Sequence, residues 1–410
     1  MKILFIRTQN PFFESSADAN RFSGLLKGLI ERGAEVEILV TRGYNNWQEF
    51  KCNGIPQGMR NLNVKYTCTV FNNNIWYRRI NAILLGKPIA AINKKYLRKY
   101  LKEQYDYIWL TKDVMVLREF LDNYDSITAK TMMELNEFHD IHKSVGAIGN
   151  SMQQATADAT NDVFCEAVKK VDYFAIMTKT LMEHYRKMAK PEAAFSHIQM
   201  TVDLQRFQNV QETIEYKKPY IAFTGTFNNA KDGVDILIKA FGKIASKYPA
   251  LHLYLAGFWH YDVPMQEKLI KNLGLFDRVT YLGVLNKEQV PAFVCNANLL
   301  VLSRPDSHQA QGGFPTKLGE YLATGKPVCV TKVGEIPNYL KDNESAFMAT
   351  PGDVDSFADA MDRALCNEEH GKAVAIKGKE VAETEFNLEL QSDKLYQFLQ
   401  DKIKCPLNKQ

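Results

Sequence analysis

The segment GGFPTKLGEYLATGKPV, residues 312–328, combines groups that could bind a nucleoside diphosphate. Its two leading glycines let backbone N–H groups approach an anion closely, and Pro315 suits the first turn of a helix. Lys317 can neutralise a phosphate, and Glu320 can accept both hydroxyls of a ribose. The spacing therefore predicts a diphosphate at a helix start. An ordinary helix with a surface glutamate is the plainer alternative.

A second candidate phosphate loop is GTFNNAKDG, residues 225–233, between a predicted strand and a long predicted helix. Its backbone amides and Lys231 can bind phosphate. Arg304, just after another predicted strand, can add positive charge. Without the neighbouring glycines, Lys231 would be interpreted as a solvated lysine.

A third cluster follows a buried apolar strand in the first half, in MELNEFHD, residues 133–140. It brings Glu134, Glu137, His139 and Asp140 to the carboxyl end of that strand. An acid or a histidine there can polarise an acceptor hydroxyl or bind sugar hydroxyls. Helix capping by Asp140 or simple solvent exposure is the alternative for each residue.

Short apolar strands alternate with helices throughout, which predicts parallel sheets covered on both faces. The predicted strands are Lys2–Thr8, Glu35–Thr41, Val64–Thr69, Tyr105–Thr111, Lys130–Leu135, Tyr173–Thr178, Phe195–Thr201, Tyr220–Thr226, Leu251–Gly257, Val279–Val284, Asn298–Ser303, Pro327–Val333 and Ala346–Thr350. The predicted helices include Ala19–Arg32, Ile89–Lys102, Ser151–Lys170, Lys179–Ala189, Asp232–Tyr248 and Leu388–Lys404. The polar stretch Val202–Pro219 separates two such regions, and ligands of these sheets bind beyond the carboxyl ends of the strands.

The composition is that of an ordinary globular protein, and 410 residues suffice for two domains. The seven cysteines are scattered and form no C-x-x-C pair, so we expect reduced thiols in a cytosolic compartment. Residues 1–8 are interpreted as a first strand, because their apolar core is too short for a signal peptide. No uncharged apolar run is long enough to cross a bilayer, so any membrane contact is expected to be peripheral.

Positive charge is concentrated between Lys51 and Lys102, where eleven lysines and arginines occur without one acidic residue. In residues 75–102 these cations alternate with aromatic and aliphatic residues, which is typical of a segment that rests on anionic lipid. A solvated helical face around an acceptor cleft explains the pattern equally well. Nucleic acid is not an expected partner, since no known binding module accompanies the charge.

The motif P-x-K-x-x-E-Y-x-A-x-G-x-P-V within residues 312–328 resembles the nucleotide-sugar site of family-4 retaining glycosyltransferases, particularly those of bacterial surface polysaccharides. The resemblance covers nearly the whole chain and is strongest from Tyr220 to Thr350. It implies an α/β GT-B fold, in which two Rossmann-like domains have parallel sheets facing a central cleft. The implied domains are residues 1–204, on the acceptor side, and residues 205–386, which bind the nucleotide sugar. VDLQRF, residues 202–207, resembles the start of the family's interdomain linker, and residues 387–410 are expected to cross back as a helix.

The resemblance also implies roles for individual residues. Glu320 would hold the ribose, the two glycine loops would meet the diphosphate, and the chain near Leu285 would meet the base, although packing explains Leu285 equally well. The implied substrate-binding residues are Gly225, Thr226, Leu285, Arg304, Gly312, Gly313, Phe314, Leu318 and Glu320, with Asn20 and Arg21 as weaker acceptor-side candidates. The implied catalytic residues are Glu137, His139, Lys231 and Lys317.

Two positions depart from the family pattern. Thr226 stands where relatives carry an arginine, and Gly312 stands where they often carry a sugar-contacting glutamate. Asp306, Gln309 or Gln311 of the same loop could replace that carboxylate. The departures put the identity of the sugar in question more than the reaction class.

The resemblance therefore implies a retaining glycosyltransferase that acts in polysaccharide biosynthesis, and we expect it in the cytoplasm with a peripheral position on the inner membrane face. Its donor would be a nucleoside diphosphate sugar, with UDP favoured over GDP, and its acceptor a glycan or lipid-linked glycan. No metal or other cofactor is expected. The alternatives are a sugar-nucleotide epimerase of the same fold and a catalytically weak binding or scaffold subunit. A dehydrogenase is disfavoured, because no G-x-G-x-x-G follows the first strand.

Overall fold

The computed structural model describes residues 1–14, 16–67, 93–139, 151–208, 210 and 216–404. The chain divides into two compact units. Unit 1 comprises Met1–Ile198 and Gln391–Gln410, and unit 2 comprises Gln199–Leu390.

Unit 1 is built on a seven-stranded sheet in the order β3-β2-β1-β4-β5-β6-β7, and all of its neighbouring strands are parallel. The strands are β1 Lys2–Arg7, β2 Glu35–Val40, β3 Leu62–Tyr66, β4 Tyr107–Leu110, β5 Lys130–Leu135, β6 Tyr173–Ile176 and β7 Ala194–His197. The helices are α1 Ala17–Glu31, α2 Trp47–Lys51, α3 Lys94–Leu101, α4 Val114–Asp122, α5 Ser151–Lys170 and α6 Lys179–Arg186.

Local sequence explains where these helices begin. The Ser16 side chain accepts the Ala19 N–H at the start of α1, and the Asp113 carboxylate accepts the N–H groups of Met115 and Val116 at the start of α4. The central strands β4 and β6 are buried along their full length, as expected for a parallel sheet covered on both faces.

Unit 2 contains a six-stranded parallel sheet in the order β10-β9-β8-β11-β12-β13. The strands are β8 Tyr220–Thr226, β9 His252–Phe258, β10 Val279–Gly283, β11 Leu299–Leu302, β12 Val328–Thr331 and β13 Phe347–Ala349. The helices are α7 Asn229–Asp232, α8 Val234–Ile244, α9 Val263–Asn272, α10 Gln289–Cys295, α11 His308–Gly312, α12 Thr316–Ala323, α13 Ile336–Tyr339, α14 Val354–Cys366 and α15 Glu368–Glu385. A short 3₁₀ helix, Leu204–Phe207, precedes the sheet.

The last helix, α16 Leu388–Lys404, begins in unit 2 and continues into unit 1. Within unit 1, the Tyr107 hydroxyl on β4 donates to the Leu399 carbonyl at 2.6 Å. Arg32, after α1, pairs with Asp393 at 2.6 Å. These contacts attach the final helix to the first sheet.

The two parallel sheets predicted from the sequence are confirmed, and each predicted strand has its counterpart. The helices α2 and α4 were not predicted. The end of the predicted strand Val64–Thr69 and the first residues of the predicted helix Ile89–Lys102 lie outside the described residues.

Candidate functional site

The point where the strand order of unit 2 reverses lies between β8 and β11, which pair as Leu299 with Ile221 and Leu300 with Ala222. Ligands of open parallel sheets bind beyond the carboxyl ends of the strands at such a switch point. Gly225 and Thr226 end β8, and Arg304 lies two residues beyond β11. The fold therefore brings the two predicted cation-bearing loops to the expected ligand position.

The loop after β8 is fixed against the end of β11. The Asn228 side chain accepts the Lys231 N–H at 2.8 Å and caps α7. Gly233 then turns the chain with a φ of +66°, and the Ser303 hydroxyl donates to the carbonyls of Asp232 and Gly233 at 3.1 and 2.9 Å. A Cβ atom on Gly233 would lie 2.1 Å from the Ser303 carbonyl oxygen, so only glycine allows this close approach.

Lys317 forms an ion pair with the buried Asp232, which was not among the predicted site residues. Lys317 Nζ lies 2.8 Å from Asp232 Oδ1, and Asp232 Oδ2 accepts the Thr226 N–H at 3.3 Å. A Cβ atom on Gly225 would lie 2.3 Å from that ammonium, so the glycine leaves room for it. The predicted free phosphate-binding cation is thus already paired. The sequence contains one indication of this pair, which is that Asp232 is the acidic residue in the glycine-bearing loop that also contains Lys231.

Arg304 and Lys231 both lie within electrostatic range of Lys317. Burial lowers the pKa of the Lys317 ammonium, Asp232 opposes that effect, and the charges of Arg304 and Lys231 lower the pKa further. Arg304 is buried, whereas Lys231 is exposed. Three positive charges and one carboxylate give the site a surplus of positive charge, which suits a diphosphate.

The helix α12 begins directly after Pro315, one residue later than predicted. Beyond the end of the helix, the backbone turns at Gly325, which has a φ of +66°. The Tyr321 hydroxyl accepts the Thr224 N–H at 2.7 Å, which ties α12 to β8. The preceding glycine loop is less available than predicted, because the Gly313 N–H already donates to the Gln309 carbonyl at 3.0 Å. Gly312 ends α11 and is buried.

Phe314 and Leu318, both predicted to bind substrate, have buried side chains. Phe314 is buried, and its ring centroid lies 5.6 Å from that of Tyr339 and 5.2 Å from that of Phe386. The Leu318 side chain has no exposed surface. Both side chains therefore pack in the interior of unit 2.

Glu320 is the fifth residue of the eight-residue helix α12, not near its start as predicted, and its carboxylate is paired with Arg206. Arg206 Nη1 lies 2.8 Å from Glu320 Oε1, with 21% and 25% of the two side chains exposed. Arg206 belongs to the VDLQRF segment, whose only predicted role was as the start of a linker. It also lines an open cavity of about 490 Å³. The other lining residues are Asp203, Gln208, Val210, Lys287, Glu288 and Pro291.

The remaining predictions in unit 2 concern two loops. Leu285 is half-buried beyond the end of β10, two residues after Gly283, whose φ is +70°. Asp306 accepts a hydrogen bond from the Gln311 amide at 2.5 Å, and both side chains are exposed. Asp306 is therefore accessible as the alternative sugar-contacting carboxylate.

In unit 1, Glu137 and His139 follow the carboxyl end of β5, where the Tyr185 hydroxyl fixes their backbone. That hydroxyl accepts the His139 N–H at 3.0 Å and donates to the Glu137 carbonyl at 3.2 Å. The exposed Glu137 carboxylate lies 3.8 Å from Lys112 Nζ, and the His139 ring packs 4.0 Å from the Phe164 ring. The neighbouring Asp140 lies outside the described residues.

Arg21, predicted as a weaker acceptor-side candidate, is engaged in contacts within unit 1. Its buried guanidinium donates to Glu134 Oε1 at 2.7 Å and to the Ile198 carbonyl at 2.8 Å. These contacts hold α1 against the sheet and also occupy Glu134. Asn20, one residue earlier in α1, is half-buried.

The basic tract is less uniformly available to anions than its sequence indicated. Residues 75–92 lie outside the described residues. In α3, Lys94 and Arg98 both pair with the fully buried Glu119 carboxylate, at 2.9 and 2.6 Å. Lys95 is exposed. Part of the positive charge of the tract therefore compensates a buried acid.

Comparison with known proteins finds a family model that is similar to the part of the chain containing the site. The profile of the family described as "Glycosyl transferases group 1" matches residues 205–381, which include both glycine loops, Arg304 and Glu320. This match covers less than half of the chain. N-acetyl-alpha-D-glucosaminyl L-malate synthase of Bacillus anthracis is 24% identical over 238 residues, which cover 56% of this chain and 59% of the relative. The chain thus spans little more than half the length of that relative.

Solved structures of glycosyltransferases match almost the whole chain. Sucrose-phosphate synthase from Thermosynechococcus elongatus superposes with a TM-score of 0.72 at 16% identity and covers 98% of this chain and 99% of its own. Anabaena HepE in complex with UDP-glucose gives a TM-score of 0.68 at 14% identity, over 98% of this chain and all of its own. The GT-B fold implied by the sequence resemblance is thereby confirmed.

Proposed function

We propose that this protein is a retaining glycosyltransferase that moves a sugar from a nucleoside diphosphate sugar to a glycan or lipid-linked glycan, with UDP favoured over GDP. The observation that carries the proposal is the group of Lys231, Arg304 and Lys317 at the switch point of the group 1 domain, with Glu320 on the adjoining helix. HepE, which shares the fold, was solved with UDP-glucose, and this supports UDP.

The chemistry would depend on electrostatics and alignment. A departing nucleoside diphosphate develops negative charge, which the preorganised cations would stabilise in place. In front-face displacement, the leaving diphosphate itself helps to deprotonate the incoming hydroxyl, so no protein nucleophile is needed. Glu137 and His139, at the carboxyl edge of the first sheet, are proposed to bind the acceptor or the transferred sugar.

A thermal-shift screen against UDP, GDP and their sugars tests the donor class. A ligand that binds only the folded protein adds about 2.7 kcal/mol at 100 times its dissociation constant. We expect UDP and UDP-sugars to raise the melting temperature most. A screen without any shift would contradict a nucleotide-sugar site.

A binding or scaffold subunit is the second candidate, because Thr226 and Gly312 replace residues that relatives use and Lys317 is paired with Asp232. Such a subunit would bind the nucleotide sugar without releasing nucleoside diphosphate when acceptor is added. Release that depends on acceptor would exclude it.

Replacing Glu320 by Gln is expected to weaken donor binding without unfolding the protein. The amide loses the charged acceptor of the ribose hydroxyls, which is worth on the order of 1.5–3 kcal/mol. Calorimetry should show the lower affinity, while the melting temperature without ligand stays close to that of the wild type. Unchanged donor affinity would remove Glu320 from the site.

Catalysis is expected to continue in EDTA. Across the described residues, no three His, Cys, Asp or Glu side chains are grouped so that they could hold a metal ion, whereas cations are already at the site. Turnover should therefore remain largely intact in EDTA, and Lys231→Ala should lower it by roughly 10²–10³. Loss of transfer in EDTA that magnesium or manganese restores would contradict metal independence.

The basic tract is proposed to rest on anionic membrane. Along the described ranges, every helix is too short or too polar to cross a bilayer, so the proposal concerns surface contact alone. Each lysine or arginine near the surface adds roughly 1 kcal/mol to binding. Neutralising Arg78, Arg79 and Lys95, while keeping the two partners of Glu119, should reduce flotation with anionic liposomes, and salt should reduce it in the wild type.

The control for the liposome experiment neutralises three exposed lysines of unit 2, Lys268, Lys271 and Lys341. This control removes the same number of positive charges as the tract variant, but from outside the tract. If the control and the tract variant float equally well, the tract is a solvated face or an acceptor groove.

A further inference from the structure

Glu320 and Arg206 form an ion pair whose place in unit 2 gives Arg206 a definite role. We propose that Arg206 is a positioning residue that orients the Glu320 carboxylate toward the ribose hydroxyls of the donor. This inference rests on the proposed donor site and adds a residue that the family motif around Glu320 does not contain.

The geometry leaves the carboxylate able to bind a second partner. Arg206 Nη1 donates to Glu320 Oε1 at 2.8 Å, a charge-assisted bond of ordinary length. A carboxylate offers about four acceptor positions, so one guanidinium N–H leaves capacity for two ribose hydroxyls. Without Arg206, a glutamate that is one-quarter exposed would be free to change rotamer, and ligand binding would have to order it.

Arg206 is presented by a segment that is itself fixed. The Val202 N–H donates to the Phe386 carbonyl at 2.7 Å, and the Val202 carbonyl accepts the Leu388 N–H at 3.0 Å. Four residues later, Arg206 lies in the 3₁₀ helix Leu204–Phe207. The backbone just before the arginine is therefore anchored.

The helix that bears Glu320 closely approaches the same segment. A Cβ atom on Gly319 would lie 2.3 Å from Met200 Cε, so the absence of a side chain permits this packing. Gly319 immediately precedes Glu320, and Met200 lies six residues before Arg206. The contact sets the spacing across which the ion pair forms.

A merely structural salt bridge would have a different signature. Partly exposed ion pairs contribute little to stability, so a variant without Arg206 is expected to fold. If Arg206 acts only on the fold, its removal would weaken the binding of all nucleotides equally or of none. If Arg206 acts through Glu320, its removal would weaken the binding of nucleotides that have ribose hydroxyls more than the binding of those that lack them.

The experiment is a calorimetric cycle between protein and ligand. Wild type, Arg206→Ala and Arg206→Lys are titrated with UDP or GDP, whichever the wild type binds, and with its 2′,3′-dideoxy form. Arg206→Ala should weaken the binding of the nucleotide with ribose hydroxyls roughly tenfold, and the binding of the dideoxy form less than about twofold. Arg206→Lys keeps the charge but not the planar donor geometry, so its affinity for the nucleotide with ribose hydroxyls should lie between those of the wild type and Arg206→Ala.

Arg363→Ala is the matched control, since Arg363 is also a partly exposed, ion-paired arginine of unit 2. It should bind both nucleotides as the wild type does. If Arg206→Ala loses affinity equally for both nucleotides, or for neither, the positioning role is overturned while the donor site remains intact. A wild type that binds neither UDP nor GDP would overturn the proposed function and this inference together.

Discussion

Replacing Lys317 by Met should lower turnover by roughly 10²–10³, the scale for losing one strong donor to the transition state. Methionine keeps an apolar stem of similar length but removes the ammonium that would meet the departing diphosphate. The same change leaves the buried Asp232 carboxylate without its partner at 2.8 Å. Breaking a buried pair in this way costs about 3–5 kcal/mol of stability.

The double variant Asp232→Asn with Lys317→Met separates the two effects. It replaces the ion pair by two uncharged side chains of similar size, so the free energy of unfolding should return toward the wild-type value. Turnover should remain low, because the ammonium is still missing. Steady-state kinetics and urea denaturation of both variants provide the measurement. Recovery of wild-type turnover in the double variant would show that Lys317 acts only through stability.

Replacing Gly233 by Ala should destabilise unit 2 by about 3–4 kcal/mol, as the sum of backbone strain and overpacking. Gly233 has a φ of +66°, and a Cβ atom there would meet the Ser303 carbonyl oxygen at 2.1 Å. Relief of that clash must move the loop that carries Asp232 and Lys231. Affinity for the nucleoside diphosphate should therefore fall together with stability.

Gly274 provides a matched control for the backbone. Its φ is +67°, and a Cβ atom there would have no neighbour within 4 Å. Gly274→Ala should cost only about 1 kcal/mol, from strain alone, and should leave nucleotide affinity unchanged. Urea denaturation of the two variants measures the difference. Equal losses would mean that the contact with Ser303 does not constrain the loop.

Much of the fold could be predicted because buried parallel strands are short apolar runs that end at glycine or polar residues. Tyr220–Thr226 and Lys130–Leu135 were predicted with the bounds that the structure shows. Their order within each sheet follows from general rules on parallel connections, and the position of the ligand loops follows from that order.

The pairs that complete the candidate site could not be predicted, because they join residues far apart in sequence. Lys317 and Asp232 are 85 residues apart, and Arg206 and Glu320 are 114 apart. Sequence spacing within a single motif carries no information on such contacts. They depend on how closely α12 packs against β8 and against the segment before the sheet.

The predicted roles of Leu318 and Arg21 show a different limit. A family motif gives positions in the chain but not the direction of each side chain. The helical spacing of Leu318, Tyr321 and Leu322 already indicated a buried face, and the structure buries all three. Arg21 lies on the face of α1 that meets the sheet, where its guanidinium binds Glu134.

A calorimetric titration of the wild-type protein with UDP and GDP, compared with Glu320→Gln, tests the nucleotide-sugar site most directly. One molecule of UDP should bind per chain, and the variant should bind it more weakly by on the order of 1.5–3 kcal/mol. If the folded wild-type protein binds neither nucleotide at millimolar concentration, the proposed site in unit 2 is contradicted.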